Sequence, residues 1–501
     1  MNRPSSPPVL QATLNALTEN AIASNLEQSA SAASSVLATP PAALLAGGPD
    51  PQHFDWAEVW YPIYAIEDLN RSAPIPFTLL GRDLVIWWEP TAQQWRVMED
   101  KCPHRLARLS EGRISEAGYL ECPYHGWSFS GSGQCEHIPQ LPENAAALQS
   151  PRACVKSLPT ATRQGFLFVY PGKPENAAKT AIPIVEAMEE TPEKWVCINI
   201  VRDLPYDALT LLENVLDPSH VPYTHHRTVG NRANAAPVDL EMLDYGKHGF
   251  TGKWKEGPRR GTLGQQDTRF IAPNLMYHDL TSKQFGRTLT VVYAVPIRKG
   301  ECRLIARFPF KFSSPWPGRF IRLTPSWYSH IGQNAILEDD QIFLHHQERS
   351  LEAAGGSDRL SKAFYLPTKA DLFVSQLHQW LRDYQAEPFP GEALPAAARS
   401  KAELLDRYHS HTAHCASCRG ALANLKRIRL GLAAISTMAW AAIPLLMAWG
   451  QTLPTLYSAA SSLMALSCLG GWAALGQLER RFYVGRAVPP RNLPEKSKKK
   501  N

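Results

Sequence analysis

The chain has 501 residues, 44% of them hydrophobic and 20% charged, and a formal net charge of +6. Its length accommodates about three domains, and its composition allows a buried core, which excludes a wholly disordered protein. The nine cysteines are too few for a secreted disulfide scaffold, and the positive charge is concentrated near the C-terminus, which argues against nucleic-acid binding.

The first segment, residues 1–52, is rich in Ala, Ser and Pro and poor in charged residues. Such a composition is typical of a flexible tail. The scarcity of acidic residues also fits an organelle transit peptide, but these peptides are usually rich in arginine, and Arg3 is the one arginine present. We therefore predict a flexible tail, with a targeting segment as the alternative.

Short strands with frequent turn signals are predicted in residues 53–175. Leu84–Trp88 is a continuous apolar run, which is typical of a buried strand, and Gln94–Met98 alternates polar and apolar residues. This pattern predicts a small all-β domain.

Residues 183–400 combine helical and strand patterns. Leu209–Val215 and Ile336–Glu348 have helical spacing, whereas Thr288–Val295 and Cys302–Phe308 have the pattern of strands. The predicted fold class is therefore α+β.

The C-terminal part contains 49 consecutive uncharged residues, 430–478. Within it, Leu430–Trp449 and Leu456–Leu475 each have the length of one bilayer crossing. Arginine and lysine residues flank both ends, in a juxtamembrane segment (401–429) and a basic tail (479–501). This distribution predicts a transmembrane hairpin with both ends on the cytoplasmic or stromal side. A buried helical hairpin of a soluble protein is the alternative.

Two short motifs each offer one cysteine and one histidine. Cys102-Pro-His104 and Cys122-Pro-Tyr-His125 are separated by seventeen residues. A Rieske [2Fe–2S] cluster needs two cysteines on one iron and two histidines on the other. A Cys₂His₂ zinc site is the alternative, but zinc fingers pair cysteine with cysteine and histidine with histidine. The mixed pairs therefore predict a Rieske cluster.

A second group of candidate metal ligands follows in a proline-containing turn, at His220 and His225. Two histidines and one carboxylate form the facial triad of non-haem Fe(II) enzymes, which leaves positions open on the metal. Carboxylates occur together more than a hundred residues later. We select Asp340 as the third ligand, with Asp339 and Glu338 as alternatives.

A cysteine pair, Cys415-Ala-Ser-Cys418, lies just before the apolar segment. Such a pair can act as a thiol–disulfide switch, join His411 and His414 in a metal site, or have no chemical role. The switch is the preferred interpretation and the metal site the last.

At this point the sequence resembles the Rieske non-haem iron oxygenases. Within them it is similar to the group of pheophorbide a oxygenase, chlorophyllide a oxygenase, the protochlorophyllide-dependent envelope oxygenase and the translocon-associated Rieske protein. The resemblance covers about Trp56–Gly485. It rests on Cys102-Pro-His-Arg-Leu, Leu109-Ser-Glu-Gly-Arg, Tyr124-His-Gly-Trp-Ser-Phe, Asn214-Val-Leu-Asp-Pro-Ser-His-Val-Pro and Cys415-Ala-Ser-Cys418. Ala107 and Tyr124 stand where high-potential Rieske proteins carry a disulfide, so the resemblance is to low-potential centres.

The resemblance implies an N-terminal Rieske domain, a helix-grip-type catalytic domain with mononuclear Fe(II), and a transmembrane hairpin. Asp217 would hydrogen-bond a cluster histidine of a neighbouring subunit and carry electrons inward, although Asp before Pro-Ser also commonly caps a helix. Asn214 would lie beside the iron. A homotrimer is implied, because cluster and iron of one chain lie too far apart for fast transfer in this family.

The implied function is that of a membrane-anchored oxygenase in a thylakoid, envelope or plasma membrane. It would use O₂ and electrons from reduced ferredoxin to oxygenate an apolar substrate drawn from lipid, such as the tetrapyrrole pheophorbide a. Thioredoxin is implied as a partner of Cys415 and Cys418. The alternatives are a Rieske electron carrier or redox sensor in a membrane complex without oxygenase activity, and a scaffold in a translocation complex.

Overall fold

The computed structural model describes residues 46–142, 145–255, 265–282, 286–356, 359–398, 400–450 and 455–494. Most of the tail predicted at residues 1–52 lies outside them. The chain divides into two compact units. The smaller unit consists of Thr324–Glu338 and Ala398–Val488, and the other described residues form the larger unit.

The N-terminal part of the larger unit is all-β. Its strands are β1 (Tyr61–Ala65), β2 (Ile75–Leu79), β3 (Arg82–Glu89), β4 (Gln94–Glu99), β5 (Arg113–Ile114), β6 (Leu120–Glu121), β7 (Ser128–Phe129), β8 (Cys135–His137), β9 (Ser157–Leu158), β10 (Thr160–Arg163) and β11 (Phe166–Val169). They pair antiparallel in the orders β1-β11-β10, β2-β3-β4-β9 and β5-β6-β7-β8. The sequence prediction of a small all-β domain is confirmed.

One hydrophobic cluster joins the two four-stranded sheets. Val85 and Trp87 of β3 are fully buried in it, together with Phe129 of β7. The same cluster contains Cys102 and Cys122. The two predicted cluster cysteines therefore lie in the rigid core of the domain, where packing fixes their positions.

A larger antiparallel sheet forms the second part of this unit. Its strands are β12 (Val196–Leu204), β13 (Leu240–Gly246), β14 (Gly249–Trp254), β15 (Gln266–Ile271), β16 (Leu275–Ser282), β17 (Gly286–Arg298) and β18 (Glu301–Lys311). Their order is β12-β18-β17-β16-β15-β14-β13. The two predicted strands at 288–295 and 302–308 lie inside β17 and β18, which are longer than their apolar runs.

The helices occur mainly in the C-terminal half. They are α1 (Pro174–Ala177), α2 (Glu186–Glu190), α3 (Ala208–Leu216), α4 (Val221–Thr224), α5 (Pro315–Leu323), α6 (Ser326–Ala353), α7 (Leu360–Ala363), α8 (Leu372–Asp383), α9 (Lys401–Leu404), α10 (Ala416–Ala448) and α11 (Thr455–Arg480). Helix α3 packs against the strands β16, β17 and β18, and α8 packs against α3 and β13. The α+β prediction is confirmed, and the helix-grip assignment stays a prediction.

A buried arginine connects the two sheet systems of the larger unit. Arg303 of β18 forms a bidentate ion pair with Asp203 of β12, at 2.6 and 2.9 Å. Its third nitrogen donates to the carbonyl of Ile63 in β1 at 3.0 Å, and its guanidinium lies 4.5 Å from the ring centre of Phe77. Arg303 therefore connects the all-β domain to the larger sheet, because its N–H groups have hydrogen-bond acceptors in both.

The smaller unit contains two helices, α10 and α11, that are long and apolar enough to cross a membrane. Only 6% of the most apolar window of each is buried. Small residues line their contact: the Ser436 hydroxyl donates to the Ala465 carbonyl at 3.0 Å, and the Ser461 hydroxyl donates to the Ala439 carbonyl at 2.6 Å. Such contacts allow close packing of helices in lipid. Helix α10 begins fourteen residues before the predicted span 430–449 and ends one residue before its end, whereas α11 extends beyond both ends of the predicted span 456–475.

Candidate iron sites

Two loops of the all-β domain carry the predicted cluster ligands, and they have the same backbone hydrogen bonds. The Cys102 amide donates to Ala107 O at 2.9 Å, and the Leu106 amide donates to Cys102 O at 2.9 Å. In the second loop the Cys122 amide donates to Trp127 O at 2.8 Å, and the Gly126 amide donates to Cys122 O at 3.1 Å. The two loops therefore hold their cysteine and histidine in the same arrangement, so each loop can supply one ligand to each iron of a Rieske cluster.

The fifth residue of each loop has a left-handed backbone. Leu106 has φ +62° and Gly126 has φ +76°. A Cβ atom at Gly126 would also approach Pro139 Cγ to 2.9 Å, so this position is restricted to glycine by conformation and by space. At Leu106 the side chain is exposed, so the strained conformation is tolerated there without a steric conflict.

The two histidines of these loops lie next to each other. Their ring centres are 4.4 Å apart, and the His104 ring stacks on Trp127 with an interplanar angle of 5°. The Nδ1 atom of His104 is buried and has no hydrogen-bond partner in the described residues. A buried polar atom without a partner is costly, and metal ligation would satisfy it. The donor set of two thiols and two imidazoles therefore fits a Rieske cluster.

Burial makes the cysteine environment unsuitable for a free thiolate. It raises the pKa of Cys102 to about 12, with neighbouring Cys122 contributing in the same direction. Ferric iron removes the proton from a coordinating thiol, since the metal charge outweighs the desolvation. These cysteines are thus suited to metal ligation rather than to thiol chemistry with solvent.

The second site begins where helix α3 ends. Asp217 terminates the helix, and the chain turns through His220 into the short helix α4. The His220 ring nitrogen Nδ1 donates to the Asp217 carbonyl at 2.5 Å. This hydrogen bond fixes the tautomer and leaves Nε2 as the ligand atom.

His225 and Asp340 complete this group. The ligand atoms of His220, His225 and Asp340 all lie within 4.8 Å of one another, and the last two residues are buried. The His225 Nε2 atom is 3.3 Å from Asp340 Oδ2. Two imidazoles and one carboxylate at this spacing fit a facial triad on Fe(II). The structure therefore brings together the three residues selected from the sequence.

The two alternative carboxylates have other partners. Asp339 Oδ2 accepts a hydrogen bond from the Thr228 hydroxyl at 3.0 Å and lies 3.5 Å from His225 Nδ1, behind the ligand ring. Glu338 forms a bidentate ion pair with Arg407 in the smaller unit, at 2.6 and 2.7 Å. Neither is grouped with the two histidines.

Comparison with known proteins identifies the family. A family model described as pheophorbide a oxygenase matches residues 270–358, and one described as Rieske [2Fe-2S] domain matches residues 59–159. Pheophorbide a oxygenase of Oryza sativa subsp. japonica is 39% identical over 424 residues, covering 78% of each chain. The Arabidopsis thaliana pheophorbide a oxygenase is 37% identical over 420 residues, which cover 78% of this chain and 76% of that protein. This chain belongs to the pheophorbide a oxygenase family.

A further relative and a solved structure are also similar to this chain. Flavonoid 8-hydroxylase 2 of Ocimum basilicum is 33% identical over 417 residues, which cover 76% of this chain and 77% of that protein. Dicamba monooxygenase bound to dicamba superposes with a TM-score of 0.53 at 22% identity, covering 66% of this chain and 97% of that one. At this identity the structural likeness shows the fold alone.

Membership of the pheophorbide a oxygenase family establishes an oxygenase with a Rieske [2Fe–2S] cluster and a mononuclear iron. Family membership therefore favours a Rieske cluster over the zinc alternative for the mixed cysteine–histidine pairs. The individual ligand assignments stay predictions, supported by the geometry of the two sites.

Asn214 and Asp217, to which the family resemblance assigns roles beside the iron and between subunits, have defined contacts. The Asn214 side-chain amide donates to Asp340 Oδ1 at 3.3 Å, so it steadies the carboxylate ligand. Asp217 Oδ1 accepts from the amide and hydroxyl of Ser219, at 2.7 and 2.6 Å. Within one chain Asp217 therefore caps the turn before His220, and its role between subunits stays a prediction.

A buried histidine that sequence reasoning missed supports the same turn. The Val215 carbonyl near the end of α3 can only accept, so His278 Nε2–H donates to it at 3.1 Å. The other nitrogen of the neutral ring, Nδ1, therefore accepts from the Thr268 hydroxyl at 2.8 Å, and Thr268 Oγ1 in turn accepts from the Trp254 indole N–H. Burial, with nearby His220, lowers the pKa of His278 to about 4, so the ring stays neutral. Its only sequence signal is a lone histidine in a strand, which is too common to be informative.

Two of the cavities among the described residues of the larger unit are lined by none of the three candidate iron ligands. One of about 540 Å³ opens beside Ser219, next to His220 in the chain. Its lining is Ser219, Ala236, Pro237, Val238, Asp239, Thr368, Lys369 and Ala370. The other, about 790 Å³, is lined by residues such as Phe54, Leu209 and Pro388.

The stability of the folded protein is expected to depend on pH through the contact between α6 and α3. Glu348 of α6 accepts the Asp207 amide hydrogen at 2.7 Å, at the start of the helix that carries Asn214. Burial, with the nearby Asp207 carboxylate, raises the pKa of Glu348 from 4.5 to about 8. The folded protein thus holds a proton there that the unfolded chain loses, so this stabilisation is complete below about pH 4.5 and is lost as the pH rises through about 8.

We therefore expect Glu348→Gln to flatten the decline of the apparent Tm between pH 6 and pH 9, because glutamine stays neutral and still accepts the amide hydrogen. Each kcal/mol recovered at high pH would raise the Tm by about 2–4 °C. Thermal unfolding of both proteins across this pH range tests the prediction. Parallel curves for the two proteins would show that Glu348 ionises normally.

Proposed function

We propose that this protein is a membrane-anchored Rieske oxygenase that acts on a chlorophyll-derived tetrapyrrole of the pheophorbide a type. The observation that carries the proposal is the 39% and 37% identity to two pheophorbide a oxygenases over 78% of the chain. The intact group of His220, His225 and Asp340 supports oxygenase chemistry over a role in electron transfer alone.

The residues of the two iron sites have distinct tasks. When bound, the Rieske cluster supplies electrons one at a time and the mononuclear Fe(II) activates O₂. His220, His225 and Asp340 hold the iron, while Asn214 and Asp339 keep two of these ligands in orientation through the contacts described above. Cys102, His104, Cys122 and His125 hold the cluster, with reduced ferredoxin or a similar protein as the donor.

Electrons are proposed to pass between subunits of a homotrimer through Asp217. Its carboxylate is fixed by Ser219 on a turn that is hydrogen-bonded directly to the iron ligand His220. A carboxylate in this place can accept a hydrogen bond from a cluster histidine of a neighbouring chain while remaining coupled to the iron site.

The proposed location is a chloroplast-type membrane, with the iron-binding part on the stromal side. Helices α10 and α11 supply the apolar length of two crossings, and several relatives are described as chloroplastic. Positive charge flanks both ends of the hairpin, which favours placing both ends on one side. Lipid anchoring would give the enzyme access to an apolar substrate dissolved in the bilayer. Thioredoxin stays a predicted partner of Cys415 and Cys418 in their metal-free form.

A turnover assay distinguishes the substrate classes. Detergent-solubilised full chain with reduced ferredoxin and isotopically labelled O₂ should incorporate label into pheophorbide a. A flavone substrate serves as the second arm, because the flavonoid 8-hydroxylase is 33% identical over 76% of this chain. Label in the flavone and none in the tetrapyrrole would replace the proposed substrate. Reoxidation of the reduced cluster without label in either compound would instead favour the electron-carrier alternative.

A further inference from the structure

The smaller unit contains a second group of potential metal ligands, separate from both iron sites. His330, His411, Cys415 and Cys418 are all buried, and one ligand atom from each lies within 4.8 Å of every other. Neither cysteine forms a disulfide. The sequence offered His411 and His414 as partners of the pair, whereas the structure groups His411 with His330, 85 residues before Cys415.

The measured separations match those of ligands around one tetrahedral zinc ion. His330 Nδ1 lies 3.5 Å from Cys415 Sγ and 3.4 Å from Cys418 Sγ, and His411 Nε2 lies 3.3 Å from Cys418 Sγ. With Zn–S near 2.3 Å and Zn–N near 2.0–2.1 Å, tetrahedral geometry places sulfur and nitrogen ligands about 3.5 Å apart. The three distances therefore need almost no adjustment.

Three separate elements deliver these ligands. His330 lies in the first turns of α6, and the cysteines bracket the start of α10, with Cys415 as its N-cap. His411 lies in a π-helical turn, Tyr408–Thr412, in which the Thr412 amide donates to Arg407 O and the Ala413 amide donates to Tyr408 O. Widened turns of this kind are frequent at functional sites, because they place a side chain that a regular helix would direct elsewhere.

The surroundings favour a structural metal over reactive thiols. The cysteines pack in a small hydrophobic cluster with Leu422, Leu425 and Phe482. Two thiolates and two neutral imidazoles around Zn²⁺ form a set without net charge, which suits a buried place. A disulfide would leave the two buried imidazoles without these sulfur partners.

We propose that His330, His411, Cys415 and Cys418 bind one structural zinc ion, which joins the start of α6, the π-helical turn and the start of α10 in the juxtamembrane part of the chain. The Cys-x-x-Cys spacing is that of structural zinc sites, and the closed set of four protein ligands leaves no open position for catalysis. The small hydrophobic cluster of this unit explains the need for such a link.

Metal analysis of the full chain tests the proposal directly. Protein purified in detergent from cells grown with zinc and iron should contain about one zinc per chain in addition to its iron. Zinc X-ray absorption should show two sulfur ligands at about 2.3 Å and two nitrogen ligands at about 2.0–2.1 Å. This measurement needs no variant, so it decides the question even if variants fail to fold.

Variants separate this site from the Rieske ligands, which have the same atom types. His330→Ala and Cys418→Ser should lose the zinc and keep the iron and acid-labile sulfide. Cys122→Ser should do the reverse, losing cluster iron and keeping the zinc. His409→Ala is the matched control, because His409 lies on the same turn but is exposed and hydrogen-bonded to Asp406.

Two results would overturn the proposal. One is wild-type protein from zinc-replete cells that holds less than about a tenth of an equivalent of zinc, whatever its iron content. The other is full zinc retention in His330→Ala or Cys418→Ser together with loss in Cys122→Ser, which would place the zinc in a misloaded Rieske site. Neither result would affect the proposed oxygenase function, which is tested by labelled O₂.

Discussion

Replacing His104 with alanine is expected to abolish the Rieske cluster and, with it, all turnover. The variant should lose the rhombic spectrum of the reduced cluster, and its iron should fall from about three atoms per chain to about one. The physical reason is local: the His104 ring is stacked on Trp127 at 4.8 Å, and its buried Nδ1 atom has no other partner among the described residues. Alanine offers no ligand, and nothing nearby replaces one.

His137→Ala is the matched control for this change. His137 belongs to the same small sheet, in β8, but is exposed. Electron paramagnetic resonance and iron analysis of the two variants should therefore differ sharply, with wild-type values for His137→Ala. A full Rieske signal in His104→Ala would remove this residue from the ligand set and leave the mixed cysteine–histidine pairing of the loops unexplained.

The candidate cluster ligands could be predicted from the sequence, because each cysteine–histidine pair is contained within one short loop. Cys102 and His104, like Cys122 and His125, are placed by hydrogen bonds that span five residues, so spacing alone carries their geometry. The same holds for His220 and His225, which one turn and a four-residue helix position. Local ligand sets are predictable because the chain between the ligands is too short to arrange them otherwise.

Candidate ligands whose positions depend on contacts between distant parts of the chain were harder to predict from the sequence. The choice among Glu338, Asp339 and Asp340 could not be made from spacing, because consecutive helical residues point about 100° apart and the orientation of α6 is set by tertiary packing. His330 was not predicted as a ligand beside the cysteine pair for the same reason, since 84 residues separate it from Cys415. The predicted helix at 336–348 covers less than half of α6. The first turns of α6 carry too few apolar residues to show a periodic pattern.

The three consecutive carboxylates are expected to give three different phenotypes. Asp340→Ala should lose the mononuclear iron and all detectable turnover while keeping the Rieske spectrum, as should His220→Ala, because each removes an iron ligand. Asp339→Asn should keep most of the iron, because Asp339 lies behind the His225 ring rather than beside the metal. Either its iron affinity or its turnover should fall about 10–100-fold. Glu338→Gln should keep the iron and turnover in folded protein.

The expected phenotype of each variant follows from the contacts of the carboxylate that it replaces. The Asp340 carboxylate lies 3.3 Å from His225 Nε2 and accepts from Asn214, so no neighbouring oxygen can take its place without moving the helix. Glu338 instead neutralises the buried Arg407, so its change should cost about 3–5 kcal/mol of stability in the smaller unit and leave the iron site intact. Iron analysis, the Rieske spectrum and thermal unfolding of the three variants separate these effects. If Asp339→Asn lost all the iron and Asp340→Ala kept it, the two residues would have exchanged roles, and α6 would be rotated from its position in this structure.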